Sequence, residues 1–260
     1  MRVNDIKKYR KKDIYSYSFG SFPTFELLQN RPEILECILA HSDASAEIQD
    51  KLEQECGRAG VKIVYNDRIV EKVRDKDNCV IVGVFRKYIC ALDHNENHVV
   101  LVHPGDAGNL GTIIRCCVGF GIANLAVIEP AVDLFHPKVI RASMGAIFKM
   151  KFACFPHFGV YNQEFGEERE SYPFMLSGAY PLGSFKHPEN RAFSLIFGNE
   201  ASGLDAGFRA VGKSVVIPHA RTIDSLNLSL ATGIGLYEFC GKRQWEAGGE
   251  LSAESCRKDV

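Results

Sequence analysis

The sequence predicts an α/β protein of two units, a smaller N-terminal one and a larger C-terminal one built on a mostly parallel sheet. Helical and extended hydrophobic periods alternate over residues 16–88 and again over residues 99–239, which is typical of α/β folds. A polar run at residues 93–97 separates the two alternations. With 260 residues, 46% of them hydrophobic and 24% charged, the chain is long enough for two hydrophobic cores. The predicted divisions are 1–95, 96–247 and, as a flexible tail, 248–260.

The first unit is predicted to contain three helices and three strands. Its second helix is expected to stop at Gly60, because glycine adopts the left-handed conformation that ends helices. Its third helix is expected to begin at Asn66 or Asp67, whose side chains accept hydrogen bonds from the free N–H groups of a first turn. In chain order the predicted elements are helix 24–29, strand 36–40, helix 44–59, strand 61–65, a helix ending at residue 73 and strand 79–88.

The second unit begins with alternating strands and helices and continues with several strands before a last helix. The run at residues 192–197 is continuously apolar, as expected for a strand of a parallel sheet with helices over both faces. The last helix is apolar nearly all round, so we expect it to be buried on most sides, in the core or against a partner subunit. In chain order the predicted elements are strand 99–102, helix 109–120, strand 125–128, helix 137–145, strands 149–155, 172–177, 192–197 and 215–217, and helix 226–239.

Charge and cysteine content narrow the class of protein. A formal net charge of −1 means that nucleic acid would have to bind a local basic patch. Residues 2–12 include six Lys or Arg side chains, although a solvated N-terminal arm has the same composition. Nine cysteines without a Cys-x-x-Cys pair predict free thiols in a reducing compartment, so we expect a cytoplasmic protein.

Neither a membrane segment nor a metal site is predicted. The N-terminus lacks the charged-then-apolar order of a signal peptide, and no apolar run approaches the roughly 20 residues of a membrane helix. The eight histidines are scattered without the spacings of a metal site. We therefore expect no metal and no membrane partner.

Three predicted strand ends carry residues that suit a ligand site, since open parallel sheets bind ligands at the carboxyl ends of their strands. Gly198 follows strand 192–197 directly, so a ligand could approach its backbone without meeting a Cβ atom. Ile217 is followed by a proline, and Ser177 by Gly178. Backbone groups and small side chains of this kind predict a pocket for a largely apolar, adenosine-type ligand.

The familiar nucleotide-phosphate motifs are absent from the sequence. Gly119 and Gly121 come closest to a dinucleotide fingerprint, but they stand where a helix is predicted to end, which favours a C-cap. No Walker loop is present either. A cofactor without a pyrophosphate is therefore favoured.

Several polar residues near these strand ends allow a structural as well as a functional interpretation. Glu200 could be a capping partner of Ser202 and its neighbours, and Ser225 could cap the last helix. Arg115 could be an ordinary surface arginine. It follows Asn109 by six residues, which is about 240° around a helix, so a joint role requires a bound ligand or loop between them.

Taken together, three segments resemble the motifs of the SpoU (TrmH-type) family of SPOUT RNA methyltransferases. They occur in the family's order, and the likeness extends over residues 99–239. The first unit is similar, more weakly, to the small ribosomal-protein-like RNA-binding domain of many members. The segments are residues 104–115 (PGDAGNLGTIIR), 196–204 (IFGNEASGL) and 217–227 (IPHARTIDSLN), the last followed by LSLA.

This resemblance implies a C-terminal trefoil knot, a homodimer, and methylation of a ribose 2′-hydroxyl of RNA by S-adenosylmethionine. It also assigns two sets of residues to the active site, one that binds the cofactor and one that faces the reacting ribose. The set at the cofactor is Gly198, Ile217 and Leu226, with Ser177 and Gly178 on a neighbouring loop. The set on the reacting side is Asn109, Arg115, Glu200, Ser225 and Asn227. The third segment departs from the family's Ile-Pro-Met-x-Gly, because His219 and Arg221 replace the Met and the Gly.

The chemistry requires a weakly acidic hydroxyl to be placed in line with an electrophilic methyl group. The resemblance assigns Arg115 as the base, but lowering an arginine pKa from above 12 to about 8 would cost roughly 6 kcal/mol. We interpret Arg115 as a cation that holds the adjacent phosphate and stabilises the developing alkoxide. Candidate phosphate contacts elsewhere are the basic residues within 7–12, Arg86, Lys87 and Arg221.

The predicted substrate is single-stranded or loop RNA, most consistent with ribosomal RNA because of the N-terminal unit. Transfer RNA is the alternative substrate for the same chemistry. An RNA-binding protein that keeps the fold without turnover, and a methyltransferase acting on a base nitrogen, are alternatives from other classes.

Overall fold

A four-stranded mixed sheet with three helices forms the N-terminal unit. The computed structural model of the chain describes residues 6–76, 78–184, 191–220 and 222–241. The strand order is β1-β4-β2-β3, in which only β2 and β3 run parallel. The elements are β1 Tyr15–Phe19, α1 Ser21–Asn30, β2 Leu35–Ala40, α2 Ala46–Ala59, β3 Ile63–Tyr65, α3 Asp67–Val73 and β4 Ile81–Arg86.

Helix ends in this unit follow from local capping. Gly60 ends α2 with a φ of +67°, the left-handed conformation expected there. Asn66 rather than Asp67 caps α3, and its side chain accepts a hydrogen bond from the Ile69 N–H. The two predicted strands around α2 and the long extended run after α3 are confirmed as β2, β3 and β4.

The first strand, β1, was not predicted. Its sequence alternates Tyr and Ser, and the serines lie on a buried face. Ser16 donates a 2.5 Å hydrogen bond to the Phe135 carbonyl, and the Ser18 hydroxyl lies 2.9 Å from that of Thr24. Burial of these hydroxyl groups depends on partners outside the strand, so a hydrophobic pattern does not reveal it.

The C-terminal unit contains a five-stranded sheet in the order β7-β6-β5-β10-β8, with every neighbouring pair parallel. The predicted mostly parallel sheet is therefore confirmed. A short parallel pair, β9 with β11, lies beside it. The elements are β5 His98–Val102, α4 Ala107–Gly119, β6 Asn124–Ile128, α5 Pro137–Ala142, β7 Lys151–Phe155, α6 Phe158–Phe165, β8 Arg169–Pro173, β9 Tyr180–Pro181, β10 Ala192–Phe197, β11 Val215–Val216 and α7 Leu228–Leu236.

Helix α6, strand β8 and the two-residue strand β9, which was not predicted, differ from expectation in this unit. Helix α6 was not predicted, because only Tyr161 and Phe165 are buried on it and its flanks are polar. Strand β8 begins at Arg169, three residues before the predicted start, and ends at Pro173. Arg169 is buried at the strand's first position because its guanidinium donates to backbone carbonyl groups.

The strand order places a crevice between β5 and β10, at the carboxyl ends of these two strands. From β5 the chain adds β6 and β7 on one side, whereas β10 and β8 lie on the other. The direction of winding therefore changes between β5 and β10, which is where open α/β sheets bind ligands. The Asn199 side chain bridges this crevice by donating a 2.7 Å hydrogen bond to the His103 carbonyl.

The two units share part of one hydrophobic core. Leu27 and Phe85 of the first unit cluster with Phe135 and Phe148 of the second. Polar contacts at the rim include an ion pair of 2.7 Å between Lys149 and Glu26. The predicted boundary at residue 95 falls between the two sheets, β4 before it and β5 after it, and the division of the chain into two domains stays a prediction.

Helix α7 is shorter than predicted and continues as a π-helical turn, Tyr237–Gly241. Its buried side includes Leu236 and, in the turn, Phe239, both fully buried. Leu230 and Tyr237 are 53% and 55% exposed, so burial on most sides is not achieved within this chain. The predicted tail at 248–260 lies outside the described residues. In the part of the chain that the structure describes, no helix is both long enough and apolar enough to cross a membrane.

Candidate active site

A cavity of about 340 Å³ opens at the carboxyl ends of β8, β10 and β11, beside the start of α7. It lies where ligands of parallel sheets bind. Four of the five residues predicted at the cofactor line it, namely Ser177, Gly198, Ile217 and Leu226. The wall comprises residues 174–177, 197–204, 215–217, 219, 224–226, 228 and 231.

Gly198 allows the loop after β10 to fold back closely on itself. A Cβ atom at this position would lie 2.2 Å from the carbonyl carbon of Gly203, a distance that no side chain tolerates. Gly203 itself has a φ of +67°, and its N–H donates a 2.9 Å hydrogen bond to the Asn199 carbonyl. The sequence at this turn therefore shapes one wall of the cavity from backbone alone.

Gly178 stands behind the cavity wall rather than on it. A Cβ atom there would lie 2.5 Å from the carbonyl carbon of Val215. This glycine lets the loop after β8 pack against β11, which positions the neighbouring Ser177 at the cavity. The Ser177 hydroxyl accepts a 2.6 Å hydrogen bond from Arg209.

The Glu200 carboxylate joins the loop after β10 to the start of α4. It accepts hydrogen bonds from the backbone N–H groups of Gly105 at 3.1 Å and Asp106 at 3.2 Å, and from the Asn109 side chain at 3.3 Å. Burial alone would raise the pKa of Glu200, but these donors and its own backbone N–H outweigh burial and hold the pKa below its usual value. Glu200 is therefore an anion at the N-terminus of a helix, where negative charge is stabilised.

A chain of side-chain amides continues from Glu200 to α7. The Asn227 side chain donates a 3.1 Å hydrogen bond to the Asn109 side-chain oxygen. The oxygen of Asn227 in turn caps α7 by accepting from the Ser229 N–H at 2.9 Å. Glu200, Asn109 and Asn227 thus connect the loop after β10, helix α4 and helix α7.

The structure overturns two of the structural alternatives. Asn227, not Ser225, caps the last helix, so Ser225 is free of that role and stands on the cavity wall. Glu200 is not a capping partner of Ser202, because the Asn199 side chain accepts from the Ser202 N–H at 3.2 Å.

Arg115 is not part of the cavity wall. It is exposed on α4, more than one turn beyond Asn109, as the six-residue spacing predicts. Its guanidinium has no hydrogen-bond or ion-pair partner among residues 6–76, 78–184, 191–220 and 222–241. The structure leaves this cation at the surface, available to an external anion.

His219 occupies the position where the resembling family has Met, and it contributes to the cavity wall. One ring nitrogen, Nδ1, lies 2.8 Å from the Ile217 carbonyl oxygen. The N–H at Nδ1 donates this hydrogen bond, since a carbonyl oxygen can only accept. The other substitution, Arg221, lies outside the described residues. Sequence patterns did not identify His219 or Asp224 as wall residues, because the loop between Ile217 and Leu226 has no periodicity.

Some of the predicted phosphate contacts are already paired with carboxylates of the chain, namely Lys87 and Arg86, whereas the basic residues within 7–12 are exposed. Lys87 is 16% exposed, and its ammonium group donates to the Tyr9 hydroxyl, the Lys11 carbonyl and the Asp133 carboxylate. These three bonds use all three N–H groups, so Lys87 anchors the N-terminal segment and has no N–H left for a phosphate. Arg86 forms a 3.2 Å ion pair with Glu36. In the N-terminal segment the exposed cationic side chains are Lys7, Lys8, Arg10, Lys11 and Lys12.

Neither disulfides nor a metal centre are found in the part of the chain that the structure describes. Its eight cysteines are free thiols, and burial raises the pKa of Cys117, so this thiol stays protonated. No group of three or more His, Cys, Asp or Glu side chains in the same part is arranged to hold a metal ion.

The sequence of the chain matches a known family of RNA-modifying enzymes and several of its relatives. The model of the SpoU rRNA Methylase family matches residues 96–237, more than half of the chain. The "Ribosomal RNA small subunit methyltransferase G 2" of Syntrophobacter fumaroxidans is 33% identical over 138 residues, which cover 53% of this chain and 26% of that protein. The "23S rRNA (uridine(2479)-2'-O)-methyltransferase" of Streptomyces viridochromogenes is 31% identical over 150 residues, covering 56% of this chain and 52% of that protein.

A solved structure shares the fold over nearly the whole chain. The SpoU methyltransferase AviRb from Streptomyces viridochromogenes, in complex with the cofactor AdoMet, superposes with a TM-score of 0.76 over 88% of this chain and 91% of that one, at 21% identity. This likeness shows the fold. The chain spans about a quarter of the first of the two curated relatives and about half of the second.

Proposed function

The chain belongs to the SpoU rRNA methylase family, and on that premise we propose that it transfers the methyl group of S-adenosylmethionine to a ribose 2′-hydroxyl of ribosomal RNA. The choice of a ribose hydroxyl is supported by the name of the Streptomyces relative, a 2′-O-methyltransferase of 23S rRNA. The trefoil path of the chain through the segment after β10 is part of the same proposal.

The cavity fits S-adenosylmethionine in size and in the character of its walls. Phe174, Phe197 and Leu226 provide an apolar surface for an adenosine group. Gly198 packs against the Gly203 backbone so closely that any side chain would force the loop apart, and this packing keeps the wall in shape for a ligand. When bound, the cofactor supplies an electrophilic sulfonium methyl group, and the residues around it need only bind, orient and exclude water.

Glu200, Asn109 and Asn227 would form the frame of the reacting side. Because hydrogen bonds hold the Glu200 pKa below its usual value, its carboxylate is a weak base near neutral pH. Its role in this proposal is to fix the start of α4 and the Asn109 amide. Asn109 and Asn227 would then orient the ribose, and the Ser225 hydroxyl on the cavity wall would contact the same side.

Arg115 would act as a cation on the RNA. Its exposed guanidinium on α4 can hold a phosphate through two parallel N–H donors, which fixes the neighbouring ribose and stabilises the alkoxide as the 2′-hydroxyl loses its proton. Keeping Arg115 protonated avoids the roughly 6 kcal/mol needed to make it a neutral base. RNA that bridges α4 and the cavity would bring this cation to the reacting group.

The proposed partners are ribosomal RNA and a second copy of the chain. The exposed cations within residues 7–12 are candidate phosphate contacts. A second copy would cover Leu230 and Tyr237, which leave an apolar side of α7 exposed at 53% and 55%. Phe120, which follows the last residue of α4, contacts the ring of Tyr237, which follows the last residue of α7, at a centroid distance of 6.4 Å. The ends of α4 and α7 would therefore lie together at such an interface.

The proposal depends above all on one observation: the cavity and the chain of Glu200, Asn109 and Asn227 meet at the same loop after β10. Incubation with tritium-labelled S-adenosylmethionine and either ribosomal or transfer RNA tests it. Label should enter ribosomal RNA and appear in alkali-resistant dinucleotides, because a 2′-O-methyl group prevents cleavage of the adjacent bond. Label in alkali-sensitive mononucleotides would instead indicate a base methyltransferase. Absence of any label in the presence of RNA binding would indicate a protein without turnover.

A further inference from the structure

A second cavity, of about 330 Å³, lies on the other side of the loop after β10. It shares Ser202 and Gly203 with the first cavity, so a single turn of backbone separates the two. Its remaining wall comes from the carboxyl ends of β5 and β6, from the start of α6, and from Asp205 and Phe208, which follow the shared turn in the chain. The proposed function uses none of the side chains that are unique to this cavity.

The wall combines flat rings with one carboxylate. The rings are His103, His157, Phe158 and Phe208, and the Phe158 and Phe208 rings pack with centroids 4.8 Å apart. Asp205 is exposed, and one of its oxygens accepts a 2.8 Å hydrogen bond from the Gly207 N–H. Its second oxygen has no partner among the described residues. The cavity therefore offers stacking surfaces together with a hydrogen-bond acceptor.

The composition of this wall does not favour a phosphate group. None of the described residues on it is Lys or Arg, and it carries the Asp205 carboxylate, which repels an anion. A planar neutral ligand with N–H donors on one edge matches both the rings and the carboxylate. An unpaired nucleobase has these properties, since proteins bind splayed-out bases by stacking and by hydrogen bonds to the base edge.

The backbone beside the cavity is held in an uncommon conformation. His103 has a φ of +56°, in the left-handed region that residues with a Cβ atom rarely adopt. Two hydrogen bonds hold it there: its N–H donates to the Ile128 carbonyl at 3.1 Å, and its carbonyl accepts from Asn199 at 2.7 Å. Because Asn199 also belongs to the first cavity, the same bond sets the relative position of both cavities.

We propose that the second cavity receives a nucleobase of the RNA next to the nucleotide whose ribose enters the first cavity. The inference deepens the proposed function and depends on it for the identity of the neighbouring nucleotide. Guanine fits best, because its N1–H and N2–H₂ groups are adjacent donors that can face the two oxygens of Asp205. Uracil fits worst, because its single N3–H lies between two acceptors.

Equilibrium binding tests this inference without requiring turnover. The probes are two fluorescein-labelled RNAs, a twelve-nucleotide oligouridylate and the same oligomer with one central guanosine, in fluorescence anisotropy at fixed salt. The intact chain should bind the guanosine-containing RNA about tenfold more tightly. Asp205→Asn keeps the oxygen that accepts from Gly207 and should remove most of this preference, and His157→Ala should weaken binding of both RNAs.

Matched controls come from α6, where Glu164 and Gln163 are exposed outside the cavity wall. Glu164→Gln and Gln163→Ala should leave both affinities unchanged. Binding of S-adenosylhomocysteine should be the same in all four variants, which would show that the first cavity is intact. Equal affinities of the intact chain for the two RNAs, or a preference that survives Asp205→Asn, would overturn the inference.

Methyl transfer separates this inference from the proposed function. If ribosomal RNA is methylated while the two cavity variants keep full RNA affinity and base preference, the base pocket is wrong and the proposed function stands. If the guanosine preference depends on Asp205 but no RNA is methylated, the pocket stands and the proposed function is wrong.

Discussion

Replacing the Glu200 carboxylate by an amide is expected to destabilise the frame of the candidate active site. Glu200 accepts from the Gly105 and Asp106 N–H groups and from the Asn109 amide. In Glu200→Gln one of the two acceptor oxygens becomes an N–H₂ group, which faces donors and leaves at least one of them unpaired. The loss of negative charge also removes a favourable interaction with the N-terminus of α4.

The magnitude follows from these contacts. About 1–2 kcal/mol is expected for the unpaired donor at this half-buried position and about 0.3–1 kcal/mol for the helix terminus, so unfolding should become easier by about 2 kcal/mol. For a chain of this length that corresponds to a fall in Tm of about 4–8 °C. Thermal denaturation followed by circular dichroism measures it. Glu164→Gln, which alters an exposed carboxylate on α6, should leave the Tm within about 1 °C.

The pH dependence of this difference gives a second check. The folded-state pKa of Glu200 is lowered from 4.5, so its ionised form stabilises the fold above pH 4.5, and this stabilisation is lost as pH falls through the lower folded-state pKa. The stability advantage of the intact chain over Glu200→Gln should therefore be complete near neutral pH and shrink below pH 4.5. An unchanged Tm at pH 7, or a difference that grows on acidification, would refute the assigned hydrogen bonds.

Three further substitutions test separate parts of the proposal. Arg115→Lys should lower kcat in the methyl-transfer assay by far more than tenfold, because lysine lacks the paired N–H donors that grip a phosphate; turnover like that of the intact chain would end the cationic interpretation. Gly198→Ala would place a Cβ atom 2.2 Å from the Gly203 carbonyl carbon and so distort the cavity wall. Calorimetry should therefore detect no binding of S-adenosylhomocysteine. An affinity within about threefold of normal would contradict the assigned wall. His219→Met restores the residue of the resembling family and should keep cofactor affinity within about threefold by the same measurement. Among the described residues, the His219 imidazole forms a hydrogen bond only with the Ile217 carbonyl. Loss of binding would assign the imidazole a direct role.

Local sequence predicted those features that depend on near neighbours. The caps at Gly60 and Asn66 and the apolar strand β10 could be read from the sequence because capping and strand burial follow short-range patterns. Strand β1 could not, since the burial of Ser16 requires an acceptor 119 residues away. The ends of the predicted strands indicated Ser177, Gly198 and Ile217 as pocket residues, whereas Leu226 and the residues of the reacting side were assigned through the resemblance to a family.

The arrangement of the site was beyond the reach of sequence patterns. Asn109 and Asn227 are 118 residues apart, and their hydrogen bond requires α4 and α7 to pack together. The capping interpretations of Glu200 and Ser225 were wrong. The Glu200 carboxylate accepts hydrogen bonds from backbone N–H groups at the start of α4, which is distant in sequence. The last helix is capped by Asn227 instead of Ser225. The second cavity depends on the ends of several elements and leaves no sequence signature.

Gly198, Ile217 and Leu226 form the wall at which the methyl donor is proposed to bind. Isothermal titration calorimetry of the purified chain with S-adenosylmethionine tests it most directly. The titration should give saturable heat with one site per chain, and this heat should be abolished by Gly198→Ala and retained by Glu164→Gln. Absence of heat from the intact, folded chain, or equal heat from the Gly198 variant, would contradict it.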